Sequence, residues 1–259
     1  MEAMKGALRR NRMTKKALKT ALLVILIISS FGCKAQFNDS IFHYISYAAT
    51  GIINKTNNNS SFVLSNMFRY GLHKKNIRLN STNSWIYGTQ RHGLTNNDFT
   101  STLDFNLYKT IPHFYYWGLG NYEKSYSLKI IDRLQAGVGA AYNLVDTRNA
   151  AINISDGILY EASNLQINDT VTNAYQTFRN SLRFRYHFSC GDLIVFDGLH
   201  FYQNSLSDGS DYIIKSINNL TFKIRKWLGF TTSATYNRNQ RTNRENLLIT
   251  FGLTAEKYF

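Results

Sequence analysis

From Phe178 to Cys190 the side chains change character at almost every step. Phe178, Leu182, Phe184, Tyr186 and Phe188 share one parity, interrupted by Asn180, and Arg179, Ser181, Arg183, Arg185, His187 and Ser189 share the other. A strand sends successive side chains to opposite faces, so this segment has one apolar and one strongly basic face. Wound as a helix, it would scatter its arginines all round. A period of two held over this length commits the segment to a strand.

The same rhythm recurs along the chain. In 134–144, Leu134, Ala136, Val138, Ala140, Tyr142 and Leu144 oppose Gln135, Gly137, Gly139, Ala141 and Asn143, with Arg133 just ahead on the polar side. Segments 62–72, 99–108 and 228–237 repeat the pattern, and 41–53, 77–88, 114–126, 151–161, 193–204, 213–224 and 246–259 follow it less cleanly. With 178–190 the count is twelve, or ten if two segments form one long bent strand. Bacterial single-chain barrels require an even number. Pro112 is the single proline, which suits a chain made mostly of strands. Turn chemistry separates the segments at Asn57-Asn58-Asn59-Ser60, Asn96-Asn97, Ser207-Asp208-Gly209-Ser210-Asp211 and 237–246. The fold class is therefore all-β, an antiparallel up-and-down transmembrane barrel. It must close, because lipid cannot satisfy an open sheet edge.

Tyr44, Tyr47, Tyr70, Trp85, Tyr87, Tyr115, Tyr116, Trp117, Tyr202, Trp227, Tyr236 and Tyr258 cluster near segment ends and are read as aromatic girdles at the membrane interfaces. The last strand ends on Phe259, which looks like the signal read by the barrel-assembly machinery.

The formal net charge of +14 raises the question of nucleic acid. Residues 1–35 carry eight basic residues against one acid, so their removal takes seven from +14 and leaves +7. Residues 5–19 form a basic region and 21–31 an apolar run. That run is shorter than the roughly 20 residues of a spanning helix, and it has the length of a signal-peptide core. Cys33-Lys34-Ala35 places small residues for cleavage before Gln36. Residues 1–35 are thus read as a signal peptide, with Met4 or Met13 as alternative starts, and 36–259 as the barrel. Lipidation at Cys33 is the rival, with Gly32 fitting a lipobox and Ser30 and Phe31 departing from it. Cleavage leaves only Cys190, which cannot form an intramolecular disulfide and is placed on an outward face. Export to the cell outer membrane excludes nucleic acid. The partners expected there are outer-membrane lipid and lipopolysaccharide.

The residues 179–188 and 201–212, including Gln203-Asn204-Ser205-Leu206-Ser207-Asp208, resemble the outer-membrane proteins of the domain of unknown function 481 family, sometimes described as salt-induced outer-membrane proteins. The strand Gly137-Val138-Gly139-Ala140-Ala141-Tyr142 and the run Ile158-Leu159-Tyr160-Glu161 look similar as well. The chain departs from the family at Thr254-Ala255-Glu256-Lys257, which lengthens the usual short finish. The resemblance implies a barrel and supplies no catalytic residue.

If the apolar faces meet lipid, the polar faces line a lumen. Its basic candidates are Arg69, Arg133, Arg179, Arg183, Arg185, His187 and Lys215, joined by Arg78 and Lys223. A low-dielectric wall around such charges concentrates anions. One reading is a narrow anion-preferring channel for small acidic solutes. The other is a plugged interior in which the arginines pair with Asp104, Glu123, Asp132 and Glu161. A lipid hydrolase would need a serine in reach of a histidine, and His187-Phe188-Ser189 and the region of His92 are the nearest approaches. Neither has the Asn-Gly continuation of such enzymes, so the chain is read as non-enzymatic. The six histidines have no metal-ligand spacing, and Ser207–Asp211 lacks the closing Glu of a calcium loop, so neither metal nor cofactor is expected. The leading expectation is an outer-membrane barrel with a structural or envelope-related role. The anion channel and a docking barrel in an envelope complex are the alternatives.

Overall fold

The computed structural model describes residues 43–259 apart from 57–58, 75, 92, 109–110, 168–170 and 192. The signal-peptide segment 1–35 and Cys33 lie outside the described residues. Twelve strands follow one another: β1 (His43–Thr56), β2 (Asn59–Lys74), β3 (Ile77–Gln90), β4 (Gly93–Tyr108), β5 (Phe114–Ser125), β6 (Ile130–Asp146), β7 (Ala150–Gln166), β8 (Thr172–Cys190), β9 (Ile194–Ser205), β10 (Tyr212–Arg225), β11 (Leu228–Asn239) and β12 (Arg244–Tyr258). Each pairs with its sequence neighbour, and β1 pairs antiparallel with β12, so the sheet closes without an edge. None of the twelve expected segments merges with another, which removes the ten-strand alternative. At the seam His43 and Phe259 exchange backbone hydrogen bonds of 2.8 and 3.0 Å, and their rings stack at 5.4 Å.

An even strand count puts both chain ends on one rim, called here the terminal rim. The far rim carries the β1–β2, β3–β4, β5–β6, β7–β8, β9–β10 and β11–β12 connections. Strands of 12 to 19 residues exceed the roughly 9–11 that cross a bilayer, so the wall stands above the hydrocarbon.

The alternation becomes an inside-out wall. Direct pairing links Ser46, Arg69, Thr82, Thr102, Asn121, Gln135, Glu161 and Thr177 across eight strands, all on the lumen side. The intervening parity, with Leu103, Leu134, Val138 and Phe178 half or more exposed, forms the outer belt. Cys190 lies exposed on that outer parity.

Four expectations need correction. Asn96-Asn97 is not a turn: a bulge at residue 95 lets β4 start at Gly93. Asn96 is buried and donates to Asp98, while Asn97 accepts from Trp85 Nε1 at 3.0 Å. The break expected over 237–246 shrinks to 240–243. Asp132 does not face the lumen: it lies opposite Asn164 on the outward parity of Leu134, and the register shift beside it turns Ile130 inward instead. Finally, Tyr44, Tyr115, Trp117 and Tyr258 face inward, not into a girdle. Tyr44 and Tyr258 meet ring to ring at 4.8 Å, and Tyr115 and Trp117 are buried with Ala141 and Leu159.

Trp117 shows why glycine occupies the inner face of β6 and β7. A Cβ on Gly139 or Gly157 would come within 2.5 Å of its indole. The bare backbone lets the ring lie flat on the wall, where Nε1 donates to the Ala140 carbonyl at 3.2 Å.

Candidate functional site: the lumen

Toward the far rim the lumen holds alternating charges. Arg133 donates to Glu123 at 3.2 Å, and its Nε lies 3.8 Å from Glu161. Arg179 grips Glu161 with two bonds of 2.9 and 3.0 Å and reaches Asp211, in the β9–β10 loop, at 2.9 Å. Arg241, in the β11–β12 loop, closes on Asp211 at 2.5 Å and lies 3.8 Å over the Tyr175 ring. Glu161 also accepts from Gln135 at 2.6 Å and Tyr175 at 2.5 Å. Arg133, Glu161, Arg179 and Asp211 are all at most 2% exposed. Out of water such charges persist only where each is paired and its remaining hydrogen-bonding capacity is met.

Other contacts cross the lumen. Arg183 on β8 meets Asp104 on β4 at 2.7 Å, donates to Ser155 at 2.9 Å, and sits 5.3 Å from the Trp117 ring. Gln135 on β6 donates to Gln203 on β9 at 3.0 Å. The β5–β6 loop folds inward at the far rim. Ser127 donates to both oxygens of Asp98, through its backbone N–H at 3.0 Å and its hydroxyl at 2.8 Å, and Asn246 of β12 donates to the Ser127 hydroxyl at 3.1 Å. β5 and β12 stand five places apart round a ring of twelve, so this contact spans nearly the full bore. Leu128 and Ile130 are buried behind it with Leu165. Beneath the loop lies a cavity of about 60 Å³.

Toward the terminal rim the packing is looser. His187 and Asp197 meet at 2.7 Å with about a third of each side chain exposed. Lys223 pairs with Glu256, which also accepts from Tyr44 at 3.4 Å. Arg78 lies 4.9 Å over the Tyr108 ring, and Arg69 Nε donates to Met67 Sδ at 3.2 Å. Of the seven basic candidates, all lie on the inward parity. Arg133, Arg179, Arg183 and His187 pair with acids, whereas Arg69, Arg185 and Lys215 form no ion pair among the described residues.

The hydrolase geometry is not assembled at His187, whose Nδ1 is on Asp197 instead of Ser189; His92 lies outside the described residues. A different His–Ser contact stands on the outer face. His200 Nδ1 and Ser216 Oγ are 2.9 Å apart, beside Asn218, which accepts from Tyr186 at 2.6 Å. Tyr186 reaches it by crossing Gly198, where a Cβ would sit 2.1 Å from the ring. The signal available beforehand was the polar pair Ser216 and Asn218 on an otherwise apolar parity.

The Ser207–Asp211 run is a turn. Asp208 accepts from the N–H and hydroxyl of Ser210 at 2.9 and 2.7 Å, and these bonds hold its carboxyl below the usual range. Asp211 is committed to the arginines. Among the described residues no cluster of His, Cys, Asp and Glu could hold a metal.

Residues 48–256 match the family described as "Protein of unknown function, DUF481". No curated protein matches the sequence. Among solved structures the barrel is similar to the NanC porin, at 9% identity and a TM-score of 0.50, covering 84% of this chain and 99% of that one. It is more distantly similar to the KdgM porin in complex with disordered oligogalacturonate, at 12% identity and a TM-score of 0.43, covering 83% and 99%. The translocator domain of the autotransporter NalP from Neisseria meningitidis stands at 11% identity and 0.44, covering 94% and 97%. The first likeness is one of fold, and the other two carry no argument.

Proposed function

The chain belongs to the DUF481 family, and from its lumen we propose that it is an outer-membrane barrel closed to solutes, serving the envelope through its surfaces as a structural or docking element. It is exported by residues 1–35 and assembled through the strand ending in Phe259, with lipid and lipopolysaccharide round its belt. The observation that carries the reading is the set of contacts across the bore: Arg183 to Asp104, Gln135 to Gln203, and Asn246 to Ser127. An open pore keeps its opposing walls apart, whereas here one charge-assisted and two neutral hydrogen bonds join them. Purified barrel in a planar bilayer is expected to pass no steady ion current. A stable conductance at moderate voltage would overturn the proposal.

A second reading, a narrow anion-preferring channel, is favoured by Arg69, Arg185 and Lys215, which carry charge into the bore and form no ion pair among the described residues. If current is seen, replacing Arg183 and Arg185 by Ser should shift the reversal potential in a salt gradient toward zero selectivity. An unchanged potential would defeat this reading.

A further inference from the structure

On the outer face of β9 and β10 the parity is apolar toward both rims, with Phe196 and Tyr202 on β9 and Ile214 and Leu220 on β10, and polar in between. There His200, Ser216 and Asn218 stand beside Tyr186 of β8, joined in one directed chain. Tyr186 donates to Asn218 Oδ1 at 2.6 Å, and Asn218 Nδ2 donates to Ser216 Oγ at 3.3 Å. Ser216 Oγ lies 2.9 Å from His200 Nδ1. With its oxygen taken by Asn218, the Ser216 hydroxyl is free to donate to Nδ1, and that tautomer carries its N–H at Nε2. The chain thus has an accepting end, Tyr186 Oη, and a donating end, His200 Nε2, and neither meets a further partner among the described residues. No carboxylate pairs with His200 among those residues, so the group that orients a hydrolase histidine is missing. The floor beside the chain is small. Gly198 stands directly between Tyr186 and Asn218, and Ala234 faces Asn218 from β11. All four polar side chains are partly exposed.

Lipid tails offer nothing to either end of such a chain, and water is absent at the depth of the belt. Polar side chains there mark contacts with a partner, and small residues let two walls approach closely. We propose that this patch is the contact between two copies of the barrel, related by a two-fold axis along the membrane normal. The donating end on one protomer meets the accepting end on its partner, and the axis repeats the bond in the other direction. An isologous contact needs both roles on one patch, and this patch carries both. The proposal rests on the outer wall facing lipid and is independent of whether the lumen is closed.

The test is sedimentation equilibrium of the full barrel in density-matched detergent, where a monomer–dimer equilibrium is expected. His200→Leu and Asn218→Leu, apolar changes that suit a lipid-facing wall, should each weaken the dimer about tenfold. Ala234→Phe leaves the polar chain intact but holds the walls apart, and should weaken it as well. Leu103→Phe, on β4 and six places round the ring from β10, should leave association unchanged. Heat-modifiable mobility checks that each variant is folded. A wild-type barrel that stays monomeric in detergent and under cross-linking in liposomes overturns the proposal, as does a dimer untouched by His200→Leu and Ala234→Phe. A monomer that passes no ion current removes this contact and leaves the closed barrel standing.

Discussion

Arg179 and Arg185 point inward from the same strand, with Ser181 and Arg183 between them on that face, and their surroundings differ completely. Arg179 is wholly buried and shared between Glu161 and Asp211. Arg185 forms no ion pair among the described residues, and its neighbour His187 meets Asp197 in a contact that leaves about a third of each side chain exposed. The alternation that placed the arginines is identical at the two positions. What differs is the company brought by other strands. Near the far rim, β5, β6, β7 and two loops converge on β8; near the terminal rim the walls leave room for water. The first region is a lock, in which each charge depends on its neighbours. The second leaves its cations hydrated, and hydrated charges contribute little to stability.

That contrast makes graded predictions. The largest effect is expected from Glu161→Gln, which removes the carboxylate between Arg133 and Arg179 and should cost about 3–5 kcal/mol in unfolding free energy, followed by heat-modifiable mobility in urea. A loss below about 1 kcal/mol would erase the distinction between the two regions. Asp104→Asn is expected to cost about 2 kcal/mol by weakening the charged bond from Arg183. It should also raise bilayer conductance above the closed baseline, and a baseline unchanged by this variant would show that the bond is not part of the closure. Asp197→Asn, whose one ion pair among the described residues is with the one-third-exposed His187, should cost less than about 1 kcal/mol. The smallest effect belongs to Arg185→Ser, expected within about 0.5 kcal/mol of wild type. A severe loss there would mean that the terminal-rim half is as locked as the far half.

The strand pattern was legible residue by residue because the wall has only two sides. Once Phe178 to Cys190 has a lipid face, Arg179, Arg183 and Arg185 must face inward, and the same logic carried Arg69, Arg133 and Lys215. It failed where one backbone residue breaks the period. The bulge at residue 95 turned a plausible Asn96-Asn97 turn into strand, and the shift after Ile130 turned that apolar side chain inward, off the alternation of Leu134 and Val138. Parity counted within the strands was also a better guide than composition for the aromatics. Trp117 sits inside because Gly139 and Gly157 clear a flat bed for it, although its closeness to a segment end marked it for the girdle.

The sequence by itself determined a closed antiparallel wall of ten or twelve strands and the inward face of the seven basic candidates, because a period of two is local and needs no partner to be read. Which charges lock together was decided only in three dimensions. Asp104 lies 79 residues before Arg183, and Ser127 lies 119 before Asn246. The strand order and the inward fold of the β5–β6 loop bring these pairs together, and no local pattern encodes them.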